Sequence, residues 1–402
     1  MEDEALSLDD LVADPDTSIR RMHERGCPFA KTELSVIAMN HEAVRSVVRD
    51  APTRPAFSQV LASWGITSGP FYEWMSRSPL DMEGDNHRAW RKLMARTFTP
   101  SSVEKLRPSL RAEASDMAAA LTERCEFISD FARVLPAIGL CELIGVPQDD
   151  RSVFGGWADT IGFGFNAALA PSHIAEIDAA IVALFQYVDA LIARRRQNLG
   201  QDLVSRLIRE ADGNGVLDAN LLAGSVAGLV FAGHETTKNQ LGWMMVVLSK
   251  HAAEWDRVAV EPERATAVVE ELLRYRGTAS MLGRVAMEDF ELLGKSFEAG
   301  TPIMCSLWGA NWDRREFARP YDFDVDANAA GSHMAFGQGA HHCLGAALAR
   351  LELQEALKAL AARFACPEVG HGATFLPPIG INGPARLPLR LSTRKPQNGS
   401  QK

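Results

Sequence analysis

The 402-residue sequence has no long hydrophobic run, no paired cysteine spacing and no excess of basic charge. Each absence removes a class of function. Nothing approaches the roughly 20 consecutive apolar residues that span a bilayer, so no membrane anchor is expected. The acidic start, Met1 to Asp10, has neither the basic region nor the apolar stretch of a signal peptide. Lys and Arg number 42 against 51 Asp and Glu, a net charge of −9. A nucleic-acid partner is therefore disfavoured, since neutralising phosphates takes a basic face. Six cysteines, Cys27, Cys125, Cys141, Cys305, Cys343 and Cys366, are scattered singly, which points to a reducing cytoplasm and not to a disulfide framework. Repeats, low-complexity tracts and Pro/Ser-rich linkers are missing too, so 1–402 reads as a single domain, with loose ends expected at 1–20 and 394–402.

What the sequence does contain is concentrated in a few stretches. The run Ala335-Phe336-Gly337-Gln338-Gly339-Ala340-His341-His342-Cys343-Leu344-Gly345 places one cysteine in a loop of small residues, directly before the strong helix formers Ala346 to Glu352. A thiol at a helix start meets unpaired N–H groups and the positive end of the dipole, which lower its pKa and favour the thiolate. Gly337, Gly339 and Gly345 allow tight turns and close approach of a flat ligand. Three readings compete for Cys343: a buried helix-cap cysteine, a zinc ligand with His341 and His342, and the axial thiolate of a haem. Zinc lacks the second ligand pair that a structural site needs.

A long helix is expected from Ala219 to Ala252, apolar on nearly every side. Its middle nevertheless reads Ala232-Gly233-His234-Glu235-Thr236-Thr237, a carboxylate and two hydroxyls where burial costs several kcal/mol unless they are partnered or used. Either Thr236 bonds back to the Ala232 carbonyl, or the glycine invites a local opening. His87 and Arg91 lie one turn apart on another helix, as do Glu271 and Arg274 on a third. Phe57, Trp64, Phe71, Tyr72 and Trp74 crowd an expected loop, and Ile161 to Asn166 breaks a helical region as a mobile lid would. A strand at Leu34–Met39, hairpins after Arg284 and a late hairpin over 375–391 complete the reading.

The Phe-Gly-x-Gly-x-x-x-Cys-x-Gly run resembles the haem-binding loop of the cytochrome P-450 superfamily. The Ala-Gly-x-Glu-Thr-Thr hexapeptide, the His-x-x-x-Arg and the Glu-x-x-Arg resemble that family's other motifs, in its order along the chain. The resemblance spans about residues 35 to 391 and implies a mainly α fold with a small β region, haem b lying between the Thr-bearing helix and the Cys343 loop. Cys343 would be the axial ligand. His87, Arg91, Arg284 and His341 would hold the propionates, and Ala232, Gly233, Phe336, Gly337 and Gly345 would line the haem. Glu235 and Thr236 would serve proton delivery where the helix opens to admit O2.

The Glu271–Arg274 pair would be structural. Ala327, or Asn328 with one slip, stands where the family has a third member, Arg, so a rearranged or looser loop is expected before the cysteine. Phe71, Trp74, Phe163, Phe165, Ala279, Met281 and Ile379 would line a pocket for a hydrophobic small molecule. The implied enzyme is a cytoplasmic, monomeric, bacterial-type monooxygenase of secondary metabolism. Its electrons would come from NAD(P)H through ferredoxin reductase and ferredoxin, with Lys92, Arg350 and Lys358 as docking cations. Phenol coupling, peroxide-driven oxidation and a non-catalytic haem sensor are the alternatives.

Overall fold

A computed structural model describes residues 4–214, 218–329 and 331–394. Its axis is the helix Ala219–Leu248, started by Asp218, whose side chain accepts from the Leu221 N–H at 2.7 Å. Leu222, Val226, Val230, Leu241 and Met244 are among the residues it buries, so its stability comes from packing on several sides and not from one amphipathic face. Around it lie the helices Val134–Ile144, Arg151–Gly162, Ala170–Gln197 and Ala346–Arg363. The last of these also packs on Arg107–Ala120 and Ala265–Tyr275. The long helix ends at Leu248, four residues before the expected end. His251 turns its ring back onto the Val247 carbonyl at 2.8 Å, and a new helix begins at Ala252.

The β region is a six-stranded sheet in the order Glu4–Ala5, Phe29–Lys31, Val36–Ala38, Pro302–Ser306, Met281–Ala286 and Thr53–Pro55. The strand expected over Leu34–Met39 is thus present, trimmed to Val36–Ala38, and it runs parallel to Pro302–Ser306. Residues 290–297 form the expected hairpin. The late hairpin differs. Thr374–Phe375 pairs with Pro384–Arg386, while Pro388–Arg390 crosses over to Arg124–Glu126 and Glu368–Val369. Local turn signals carry no information on that distant partner.

Two further expectations are corrected. The aromatic loop is largely two short helices, Phe57–Ser63 and Pro70–Ser76, the second with Pro70 at its first position after Gly69 at φ 99°. Nor does looseness at 1–20 extend to residues 4–20. Leu6, Leu11 and Ile19 are buried against Ile37, Trp308 and Trp312, and Asp16 pairs with Arg276. Arg394 also is tied, its N–H to the Arg363 carbonyl and its guanidinium to Asp256. Residues 1–3 and 395–402 of the expected loose ends lie outside the described residues.

Candidate active site

The cysteine loop is shaped by two left-handed glycines, Gly337 at φ 66° and Gly339 at φ 70°, a conformation that side chains with a Cβ resist. They fold the chain so that the Cys343 N–H donates to the Phe336 carbonyl at 2.9 Å. Gly345 caps the helix Ala346–Arg363, and a Cβ on it would stand 3.9 Å from the Cys343 Sγ. Contrary to expectation, burial pushes the Cys343 thiol up. The N–H groups of Gly345 and Ala346, with Arg91 and Arg350, only partly offset it. The helix end alone does not make a thiolate here; a coordinated cation is the kind of neighbour that does.

Although desolvated by what packs round it, Cys343 keeps open surface, as does Ala232 between the buried residues Phe231 and His234. Small residues left open among such neighbours mark a hollow.

Three of the four predicted propionate partners converge. His87 and His341 stack ring on ring with centroids 3.9 Å apart. Glu83 lies between His341 (3.2 Å from Nε2) and Arg284 (3.4 Å from Nη1). Arg91 donates to the carbonyl of His342, next to the cysteine. Burial holds both imidazoles below their usual pKa, His341 further because His87 stands beside it. The fixed positive charges are therefore Arg91 and Arg284. Two guanidiniums and two imidazoles, which already draw the Glu83 carboxylate among them, form a donor set suited to carboxylates. Together with a desolvated thiol beside helix N–H groups, this set fits a haem bearing two propionates.

On the distal side the long helix is continuous, and no opening occurs at Ala232–Thr236. Instead the Thr236 hydroxyl donates to the Ala232 carbonyl at 2.6 Å, the back-bonded arrangement. Its proton is thereby committed, and its oxygen remains an acceptor on the half-buried face that also carries Ala232. Glu235 is about a quarter-turn round the helix and buried. Its Oε2 accepts from the Lys238 ammonium at 2.6 Å and its Oε1 from the Asn239 amide at 2.8 Å. Lys238 also reaches Asp159 at 2.9 Å, and Asp159 pairs with Arg133. Burial works against the Lys238 ammonium, but Glu235 and Asp159 hold its pKa above the usual value. Asp159, His234 and Glu235 are close enough to ligate a metal. The ammonium already bridges their carboxylates, so the cluster has its cation.

Glu271 and Arg274 form a buried pair, Nε to Oε2 at 2.7 Å and Nη2 to Oε1 at 2.8 Å. The expected loose loop is instead anchored. Asn328, 4% exposed, donates to Glu271 Oε1 at 3.0 Å and accepts from the Arg319 N–H at 2.9 Å. The pair, expected to lack a third member, has one in Asn328, whose short amide reaches the carboxylate without a second buried charge.

Of the pocket candidates, Phe71 and Phe165 meet at 5.7 Å, and Phe165 stacks on Phe57 (4.8 Å) and Phe231 (3.9 Å). Trp74 packs against Phe185 and Phe163 against His173. Ala279 bridges to Ile381 and packs on the Phe29 cluster. Met281 is corrected: it packs against the cluster of Leu6, Leu11 and Trp308. Ile379 is half-buried beside Gly380, which is paired with Asn166. That docking, and a Gly164 pressed against Phe71, tie down the segment expected to be a mobile lid.

Two of the three candidate docking cations are ion-paired within the fold. Glu270 binds Arg350 at 2.6 and 2.8 Å, and the Arg350 guanidinium lies 4.6 Å from the Phe336 ring centroid. Lys358 pairs with Glu355, while Lys92 is exposed.

Sequence reading missed Glu83, Asp159, Lys238 and Asn239. Lys238 and Asn239 were findable as the i+3 and i+4 neighbours of Glu235; Glu83 and Asp159 arrive by tertiary packing. No helix among the described residues is long and apolar enough to cross a membrane.

Residues 163–371 match the family model described as cytochrome P-450. The chain is 32% identical over 365 residues to luteothin monooxygenase of Streptomyces thioluteus, covering 90% of each chain. It is 33% identical over 328 residues to erythromycin C-12 hydroxylase of Saccharopolyspora erythraea, covering 81% of this chain and 80% of that one. Its fold matches the crystal structure of the cytochrome P-450 BioI in complex with an acyl carrier protein ligated to hexadec-9Z-enoic acid. There the TM-score is 0.86 at 25% identity, covering 95% and 99% of the two chains. Family membership implies haem as cofactor and O2 as co-substrate, and the luteothin and erythromycin relatives are oxygen-inserting enzymes of bacterial secondary metabolism. By its matched residues and by its fold, the chain belongs to the cytochrome P-450 family.

Proposed function

We propose that this monooxygenase binds haem b through Cys343, holds the propionates with His87, Arg91, Arg284 and His341, and oxidises a hydrophobic secondary metabolite with electrons from a ferredoxin. The haem supplies the O2-activating, oxygen-inserting chemistry once it is bound and reduced. The chain's own residues do the rest. Gly345 and Ala346 direct N–H groups at the sulfur, tempering its charge. Thr236, its proton given to Ala232, keeps an acceptor oxygen on the hollow's face and holds a water there. Glu235 takes a proton from the Lys238 ammonium that it accepts from and, once released from Asn239, passes it to that water, while Lys238 regains its proton from solvent.

Phe57, Phe71, Phe165 and Phe231 form an apolar wall that excludes bulk water and suits a ligand without charge. The six cysteines, all free, are consistent with work in the cytoplasm. Relatives named for oxidising luteothin and erythromycin support a secondary-metabolite substrate.

The observation that carries the reading is the Cys343 sulfur under the N–H groups of its own helix, beside the four-residue carboxylate-binding set. Purified protein reconstituted with haem, reduced under carbon monoxide, should show the red-shifted Soret band of thiolate ligation, and Cys343→Ser should abolish it. A parent protein without that band refutes the assignment. Titration with apolar natural products, free and carrier-bound, read as a Soret blue shift, then narrows the substrate.

A further inference from the structure

Glu235 is walled in by a helix that does not carry it. Asp159, on the helix Arg151–Gly162, takes the far side of Lys238 at 2.9 Å. On the same helix Gly162 lies so near that a Cβ there would stand 2.7 Å from Glu235 Cδ and 3.0 Å from Oε2. Three residues further on, the Phe165 ring stacks on Phe231 at 3.9 Å, one turn before Glu235 on the long helix. The seven residues from Asp159 to Phe165 thus grip the long helix three times: by an ion pair, by a bare glycine and by a ring. Its far end is pinned as well, the Phe165 carbonyl accepting from the Ile381 N–H at 3.2 Å.

We propose that Asp159 and Gly162 are positioning residues for Glu235: they fix where its carboxylate stands, and an apolar ligand that displaces Phe165 from Phe231 loosens that hold. Pocket occupancy and proton delivery are then coupled through one short segment. The proposal rests on Glu235 being the proton carrier. Any side chain at position 162 would push the carboxylate off its seat, which is why a glycine serves there. Asp159 acts at one remove, by sharing the ammonium that Glu235 holds. The charged and titratable groups facing Lys238 are Glu235 and His234 from its own helix and Asp159 from Arg151–Gly162, with Arg133 behind Asp159.

The test uses haem-loaded protein with a surrogate ferredoxin, its reductase and NADPH, without added substrate, recording hydrogen peroxide released per NADPH across pH. In parallel, hydrogen–deuterium exchange of residues 158–166 is followed with and without 1-dodecanol as the uncharged apolar probe. Asp159→Asn should move the alkaline limb of the peroxide profile to lower pH, because Lys238 loses one of the two carboxylates that raise its pKa. Asp159→Glu should restore the limb. Gly162→Ala should change the peroxide fraction at least threefold while leaving the limb in place, and 1-dodecanol should speed exchange in 158–166 of the parent. Profiles of Asp159→Asn and Gly162→Ala that superimpose on the parent's overturn the proposal. So does a limb that Asp159→Glu fails to restore, and so does exchange indifferent to the probe. Should Gly162→Ala not fold, the Asp159 pair decides alone. If Glu235→Gln itself leaves the parent's profile unchanged, the carrier role has failed, separately from the positioning claim.

Discussion

Replacing Asn328 with alanine should destabilise the protein well beyond what a loop substitution ordinarily does. The side chain is 4% exposed and holds a buried and a part-buried group at once, Glu271 Oε1 at 3.0 Å and the Arg319 N–H at 2.9 Å. A hydrogen bond to a charged group is worth about 1.5–3 kcal/mol, and stranding a part-buried N–H adds up to about 1 kcal/mol. Glu271 keeps Arg274 and the Asp324 N–H, so the loss stays short of that for a bare buried charge. The expected cost is about 2–4 kcal/mol. At about 2 °C per kcal/mol for a chain of this size, Tm should fall by about 4–8 °C.

Differential scanning calorimetry of the haem-loaded protein measures it, with Asp326→Ala as control. Asp326 sits two residues away and pairs with Arg264 and Arg257 on the surface, where ion pairs contribute little, and its Tm should not move. A Tm change under about 1 °C for Asn328→Ala would refute the idea that this amide completes the Glu271–Arg274 pair.

Thr236→Ala removes the acceptor oxygen facing the hollow. Reductant should still be consumed while product per NADPH falls by about tenfold or more, as chromatography of the products would show. Glu352 is fully buried with neither oxygen hydrogen-bonded, and burial, eased only by nearby Thr237, raises its pKa well above the carboxylate range. A raised folded-state pKa means that folding takes up a proton, so this stability is complete below the unfolded value near 4.5 and is lost as pH rises above it. Glu352→Gln should therefore gain Tm relative to the parent on going from pH 5 to pH 8, and a constant difference would count against a neutral Glu352. Gly164→Ala would drive a methyl into the Phe71 ring. Spectral titration should show apolar ligands binding at least fivefold more weakly, with thiolate ligation intact.

The cysteine loop was legible because its signal is local: glycines needed for left-handed turns lie within a few residues of Cys343 and its helix. The long helix was legible for the same reason, as its two apolar stretches, Leu221 to Ala232 and Leu241 to Leu248, call for a buried helix. Where reading failed, a distant partner decided. Pro388–Arg390 pairs with Arg124–Glu126, a choice no nearby residue encodes. The thiol of Cys343 is raised although its helix end lowers it, because desolvation depends on everything packed around it.

The sequence by itself determined which residues can bind iron, carboxylates and protons, since those are properties of side-chain chemistry and short spacing. Only the tertiary structure decided that Asp159 and Gly162 stand against Glu235 and Lys238, that Glu83 lies between His341 and Arg284 and that Asn328 reaches the Glu271 carboxylate. Such contacts join positions far apart in the chain, and packing, not local propensity, selects them.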